Sequence, residues 1–189
     1  MIPLPTEEKC LERLLRFVCI ALIGITSACT PPQNSDVKTA EVFIDAFYSW
    51  DSISLEALLT PGAHADQMLY YQGWAQGGNY DVIDRKPCAY AGEEISCAIT
   101  VTDDFGSQLG YTATDTFYFK IENGRIHAAR FESNDPPLFE EIIQWMMATK
   151  PEVLAGPCQG LFADGETPGD CARAVTAGIK EYLATRSET

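Results

Sequence analysis

An α+β domain, with helices leading into an antiparallel sheet and a helical segment added after it, is predicted by three observations. Apolar residues recur at helical spacing as far as Trp74, and β-branched and aromatic residues take over between Val82 and Glu132. Helical spacing then returns after Pro136-Pro137. Inside the middle stretch, Asn123-Gly124 is the strongest short hairpin signal of the chain and implies antiparallel pairing around it.

The elements follow in order. Over residues 39–50, Ala40, Phe43, Ile44, Phe47 and Trp50 fall on one face of an amphipathic helix that must look into the core. A short helix over 55–59 takes Ser54 as its cap and stops at Pro61-Gly62. A third begins near Ala63, carries Met68, Leu69, Tyr70, Tyr71 and Trp74, and ends at Gly77-Gly78. Strands over 82–90 and 95–102 turn at Ala91-Gly92-Glu93-Glu94, which sets Cys88 opposite Cys97.

A second hairpin joins 111–121 to 125–132. Extrapolated from the Asn123-Gly124 turn, its register pairs Ile121 with Ile126, Phe119 with Ala128 and Phe117 with Arg130. That puts Asp115 and Arg130 on one face, and Tyr118, His127, Ala129 and Phe131 on the other. Residues 103–110 read as the loop between the hairpins. A helix starts at Asn134-Asp135-Pro136-Pro137, with Asp as a cap and proline in the first turn, and ends before Pro151. Its wide apolar face holds Leu138, Phe139, Ile142, Ile143, Trp145 and Met146. The last helix, over about 168–185, has Thr167 and Asp170 in capping-box spacing and buries Cys171, Val175, Ile179 and Tyr182.

Ahead of these elements, Lys9, Arg13 and Arg16 precede a mostly apolar run over 17–28, the order of an export signal. The run is shorter than the roughly 20 apolar residues that span a bilayer, so residues 1–28 are expected to be a cleaved leader. Thr26-Ser27-Ala28-Cys29 resembles the lipobox of bacterial lipoproteins. The resemblance implies a lipid on the Cys29 thiol, and Thr at position 30 rather than Asp favours the periplasmic face of the outer membrane. The polar, proline-bearing segment 29–37 is expected to be a tether.

Cysteine use agrees with export. Of the seven cysteines, Cys10 and Cys19 fall in the leader and Cys29 carries lipid, which leaves Cys88, Cys97, Cys158 and Cys171. Three pairings are possible. Proximity favours Cys88 with Cys97 and Cys158 with Cys171, each worth about 2 to 3 kcal/mol by the chain-entropy argument. A four-cysteine metal site is the alternative, but neither pair has the close spacing usual for zinc.

Charge narrows the partners. Three basic and three acidic residues lie before Cys29, so the whole net charge of −14 belongs to the rest of the chain. Such a chain has no basic stripe for phosphates, which argues against nucleic acid. Anionic headgroups would repel it as well, so membrane attachment would rest on the lipid at Cys29.

Three helices followed by long antiparallel strands resemble the nuclear transport factor 2-like fold, whose members include SnoaL-like cyclases and ketosteroid isomerases. The residues that carry the resemblance are Ala40-Glu-Val-Phe-Ile-Asp-Ala-Phe-Tyr-Ser-Trp-Asp51, Ser54-Leu-Glu-Ala-Leu-Leu59 and Asp115-Thr-Phe-Tyr-Phe-Lys-Ile-Glu-Asn-Gly-Arg-Ile126. It implies a cone-like α+β domain over 38–133, a curved sheet with the helices packed on it, and leaves 134–189 as a C-terminal helical extension packed on the same domain. It also implies that Asp115 stands where ketosteroid isomerases keep a neutral aspartic acid. Phe43 occupies the place of their oxyanion-hole tyrosine, and no aspartate matches their general base, so that particular isomerisation is not expected.

The candidate catalytic residues are therefore Asp115 and Arg130, either as a rim ion pair or as a polar anchor in an apolar cone. The candidate pocket residues are Tyr48, Tyr70, Trp74, Phe117 and Phe119, which would otherwise be core. His64 and His127 lack convergent partners for acid–base or metal chemistry, and no G-x-S-x-G elbow exists. The expected protein is a lipid-anchored envelope module that binds an apolar small molecule or an envelope protein, with no cofactor and no metal, and a homodimer is left open. The alternatives are a cofactor-independent isomerase, hydratase or hydrolase with its site in the cone, and a purely structural lipoprotein in which the apolar helix over 138–146 plugs the cone or exposes a partner surface.

Overall fold

A computed structural model describes residues 32–160 and 168–187. The expected leader, Cys29 with its expected lipid, and Thr167 of the expected capping box lie outside the described residues. Helix α1 runs Pro32–Tyr48, α2 Ser52–Leu58 and α3 Ala65–Gly77. The strands are β1 Asp81–Arg85, β2 Ala89–Ala91, β3 Glu94–Thr102, β4 Ala113–Glu122 and β5 Arg125–Ser133, with α4 Asp104–Leu109 before β4. Helices α5 Pro137–Thr149, α6 Pro151–Ala155 and α7 Pro168–Ser187 complete the described chain.

The strands form one curved antiparallel sheet in the order β1-β3-β4-β5, with β2 pairing β3 on the same edge as β1. Inward positions alternate along β3 as Ile95, Cys97, Ile99 and Val101, and along β4 as Ala113, Asp115, Phe117 and Phe119. Helix α1 lays Ala40, Phe43, Ile44 and Phe47 on this face. Phe43 meets Phe119 edge-on with centroids 4.8 Å apart, and Phe47 meets Phe117 at 4.9 Å. The buried Gln72 of α3 donates to the carbonyls of Ala46 and Phe47 at the end of α1, which also accept from the amides of Asp51 and Trp50.

A second apolar cluster belongs to the extension. Ile142 and Met146 of α5 pack with Cys171, Val175, Ile179 and Tyr182 of α7, and with Trp74 and Phe105. Helix α7 approaches α3 where α3 has no side chains. A Cβ on Gly73 would sit 2.7 Å from the Pro168 ring, and one on Gly77 would run into the Gly169 backbone. Both expected disulfides are present, Cys88–Cys97 beside the first hairpin and Cys158–Cys171 at the first turn of α7. No helix among the described residues is long and apolar enough to cross a membrane.

Several expectations need correction. The segment expected to be tether as far as residue 37 is helical from Pro32, because proline in the first turn of a helix gives up no hydrogen bond. Helix α2 begins at Ser52 with Asp51 rather than Ser54 as its cap, and the Asp51 carboxyl accepts from the Ser54 amide at 3.0 Å. The expected strand over 82–90 is broken into β1 and β2 around the bend at Lys86 to Cys88. Residues expected to be a loop over 103–110 contain α4, capped by the Asp103 carboxyl on the Gly106 amide and closed by Gly110 at φ 76°. Asp135 does not cap α5, whose N-cap is Pro136 without a side-chain bond.

The second hairpin matters most. Ile121 does pair with Ile126, but Lys120 pairs with Ala128, so His127 is an extra residue in β5. Beyond this bulge every β5 side chain changes face. Phe119 pairs with Ala129, Phe117 with Phe131 and Tyr118 with Arg130. Phe131 thus joins the inward aromatic layer, 5.1 Å from Phe117, and Arg130 leaves it.

Candidate functional site

One carboxyl stands in the inward apolar layer. Asp115 is 2% exposed, opposite Ile99 on β3 and Ser133 on β5. Its Oδ2 accepts a hydrogen bond from the Tyr48 hydroxyl at 2.8 Å, and the Ser133 side chain hydrogen-bonds it from the neighbouring strand. Tyr48 follows Phe47 on α1 and so points from the same helix turn toward the sheet edge of the core.

Asp115 borders a cavity where the cone core meets the cluster of the extension. Phe47 comes from α1, and Tyr71, Trp74 and Ala75 from α3. Tyr80 precedes β1, Phe131 and Ser133 come from β5, and Asp135 and Phe139 from the start of the extension. The space open to the centre of a water-sized sphere is about 40 Å³, against the roughly 10 to 15 Å³ that one water needs. It suits a few waters or a small ligand head, not a large ring system. A second recess of about 10 Å³, bordered by Tyr80, Asp103, Tyr111, Asp135 and Phe139, lies beside it.

Three carboxyls thus face this seam without a cationic side chain among the residues that line it. Burial pushes the Asp115 carboxyl up to about 7 against the pull of the Tyr48 and Ser133 hydrogen bonds, and the charges of Asp135 and Asp103 push it further. Burial raises Asp103 to about 6, opposed by the Gly106 amide and helped by Asp135 and Asp104. Asp135, exposed at the mouth, is also raised by loss of water and is held down by Ser133. The Tyr80 phenol is pushed well up, first by burial and then by Asp115, Asp103 and Asp135, while the Trp74 indole N–H donates to its oxygen. Tyr48 is likewise pushed well up by burial and by the neighbouring Asp115.

Ser133 carries a single proton for two carboxyls. With Asp115 protonated, Asp115 can donate to Ser133 and Ser133 to Asp135, so the row Tyr48, Asp115, Ser133, Asp135 is satisfied by one added proton. Near neutral pH the row can therefore release or take up a proton, or exchange it for another positive group.

The structure distributes the expected site residues unevenly. Asp115 and Trp74 line the cavity, and Tyr48 holds Asp115. Phe117 and Phe119 are fully buried in the core behind it, and Tyr70 is buried against Tyr71, so these three do not line it. Arg130 is on the outer face, over the Tyr118 ring and paired with Glu94 and Glu132. The expected Asp115–Arg130 pair is absent because the His127 bulge separates their faces. His127 and His64 are both exposed. No group of His, Cys, Asp or Glu among the described residues is arranged to hold a metal.

Sequence reasoning did not point to Phe47, Tyr80, Phe131, Ser133, Asp135 or Phe139 as lining residues, whereas Tyr71 belongs to the aromatic set on the helices that could be read as pocket or core. One signal was present for β5. Its two large apolar residues, Ile126 and Phe131, are five apart, an odd spacing that a regular strand cannot place on one face.

Fold and site together define an α+β domain of helices on a curved antiparallel sheet, with a small acid-bearing cavity capped by a helical extension. Solved structures of nuclear transport factor 2-like and polyketide cyclase type are its structural neighbours. A putative polyketide cyclase from Sinorhizobium meliloti matches with 18% identity and TM-score 0.42, over 50% of this chain and 94% of its own. A nuclear transport factor 2-like protein of unknown function from Cytophaga hutchinsonii matches with 13% identity and TM-score 0.39, over 53% and 91%. One from Burkholderia xenovorans matches with 14% identity and TM-score 0.41, over 54% and 91%. No family profile and no curated protein matches the chain.

Proposed function

We propose that this protein is a lipid-anchored small-molecule-binding module of the bacterial cell envelope, with its binding site in the Asp115 cavity. The observation that carries the reading is a buried carboxyl, hydrogen-bonded by Tyr48 and Ser133, facing open space between aromatic side chains. Small-molecule sites combine apolar walls with a few fixed polar groups in this way. Two formed disulfides favour an oxidising compartment, and the lipobox-like Cys29 supplies the anchor.

Native mass spectrometry of the oxidised full chain in mild detergent tests the binding reading. A mass excess that disappears on denaturation, and that is lost in a variant with the cavity filled at Ala75, supports it. A bare native mass, with no ligand taken up from a cell extract, sinks it.

A second reading, a cofactor-independent enzyme, draws on the same carboxyl. A group that ionises near 7 is suited to proton transfer, and Asp115→Asn would then abolish turnover of a substrate. The structural-lipoprotein reading loses support, since Ile142 and Met146 of the apolar α5 face are buried against α7.

A further inference from the structure

We infer that the Asp115 cavity takes a small organic ammonium ion, held by carboxylates at one side and by aromatic faces at the others. The inference rests on the binding reading above and names its ligand class.

The walls select among chemistries. Phe47, Tyr71, Trp74, Tyr80, Phe131 and Phe139 present aromatic surface, and the only charged lining groups are Asp115 and Asp135. An anion would meet two carboxyls and no cationic side chain. A neutral apolar guest would remove water from the Asp115 and Asp135 carboxyls and offer them no hydrogen bond in return. A bare metal ion would find no cluster of ligating side chains among the described residues. An alkylammonium ion satisfies both kinds of wall. Its charge answers the carboxylates, its N–H donates to them, and its methyl groups lie on ring faces whose quadrupoles attract cations.

Size agrees with this class. A cavity of about 40 Å³ admits a compact ammonium head but no large ring system, and ring faces act on a cation over roughly 6 Å to the ring centre. The charge of the whole chain, −14, draws cations toward the site.

Polar neighbours hold the anchor in place and set its response to pH. The Asp115 carboxyl is faced by Tyr48 from α1, Ser133 from β5, Tyr80 ahead of β1, Asp103 at the start of α4 and Asp135 ahead of α5, and the charge of Arg85 acts on Tyr48. Without a ligand, the proton on Asp115 relieves the repulsion among the three carboxyls. An ammonium ion replaces that proton, so binding releases one proton and strengthens as pH rises through the range in which Asp115 ionises, about 7.

The test uses trimethylammonium, tetramethylammonium, which lacks the N–H, and tert-butanol, a neutral molecule of the size of tetramethylammonium. Each is titrated into the oxidised full chain in detergent at about pH 8, followed by the Trp74 indole and Ser133 amide signals in NMR. Trimethylammonium is expected to shift both signals saturably and to bind more weakly at about pH 5. Tetramethylammonium should bind more weakly than trimethylammonium, and tert-butanol should not saturate. Asp115→Asn and Asp135→Asn should each weaken binding about tenfold or more, the cost of removing a charged hydrogen-bond partner. Arg130→Ala, on the outer face, should bind as the parent does, and thermal melts show which variants remain folded.

If tert-butanol binds as well as the amine, the ammonium inference is overturned while the cavity stays a binding site. If both aspartate variants fold and bind the amine unchanged, the inference is also overturned. If neither compound binds, the inference fails, and the native mass experiment decides the broader reading by itself.

Discussion

Replacing Asp115 by Asn should make the protein more stable at neutral pH, and the size of the gain follows from the position of the carboxyl. The group ionises at 3.8 in an ordinary setting and at about 7 in the folded protein. Between these values the native state holds a proton that the unfolded chain has lost. Stability is therefore complete below about pH 4 and falls as pH rises to 7, by at most about 1.4 kcal/mol per pH unit. Three units set an upper bound of about 4 kcal/mol. Because Asp103 and Asp135 titrate with Asp115 as a set, about 2 to 4 kcal/mol belongs to this site.

Asparagine mimics the protonated form. Its oxygen still accepts from Tyr48 and its NH₂ can donate to Ser133, with no charge to desolvate. Urea unfolding of parent and Asp115→Asn at about pH 3.5 and pH 8 reads the effect as the difference between their pH slopes. The two should be nearly equal at the lower pH, with the variant ahead at the higher by that amount. A variant that is no more stable at pH 8, with the pH slope of the parent, refutes the reasoning.

Other consequences are checked in the same way. Gly77→Ala places a methyl group against the Gly169 backbone, so it should cost more than about 2 kcal/mol, whereas Gly178→Ala meets only the flexible end of Met146 and should cost less; urea midpoints compare them. Removing Cys88–Cys97 as a double Ala variant should lower stability by about 2 to 3 kcal/mol, and a non-reducing peptide map should join Cys88 to Cys97 and Cys158 to Cys171. Cys29→Ser should move the protein from the membrane to the soluble fraction and abolish fatty-acid labelling; unchanged fractionation would remove the lipid anchor from the account.

Much of the fold was legible because local chemistry announced it. Phe43, Ile44 and Phe47 carried the helical period, Asn123-Gly124 announced its hairpin, and the cysteine spacing agreed with the pairing found. The apolar face around Ile142 announced a helix, but left open whether that face is covered or offered to a partner. The helix α4 was signalled by Asp103 at its cap and Gly110 at its end, but six residues are too few for a period to show.

The site was legible only in part. Asp115 was singled out by the resemblance to ketosteroid isomerases and by its expected face, but its partners come from sequence separations that no local rule reaches. Tyr48 lies 67 residues away. Arg130 was misplaced because one inserted residue, His127, reverses the face of everything after it. The same inserted residue brings Phe131 and Ser133 inward and so creates the cavity wall. Phe117 and Phe119 were taken for lining because inward-facing aromatic residues in a cone can serve either purpose. Helix α1 lies directly on them and makes them core.

The central claim is that Asp115 keeps a titratable proton inside an aromatic cavity. Carbon-13 NMR of the aspartate side chains, assigned with Asp115→Asn and followed from about pH 3 to pH 9, measures it directly. A midpoint for Asp115 near 7, moving down on addition of trimethylammonium, is the predicted result. A midpoint near 4, unmoved by the amine, would contradict both the buried carboxyl and the site built on it.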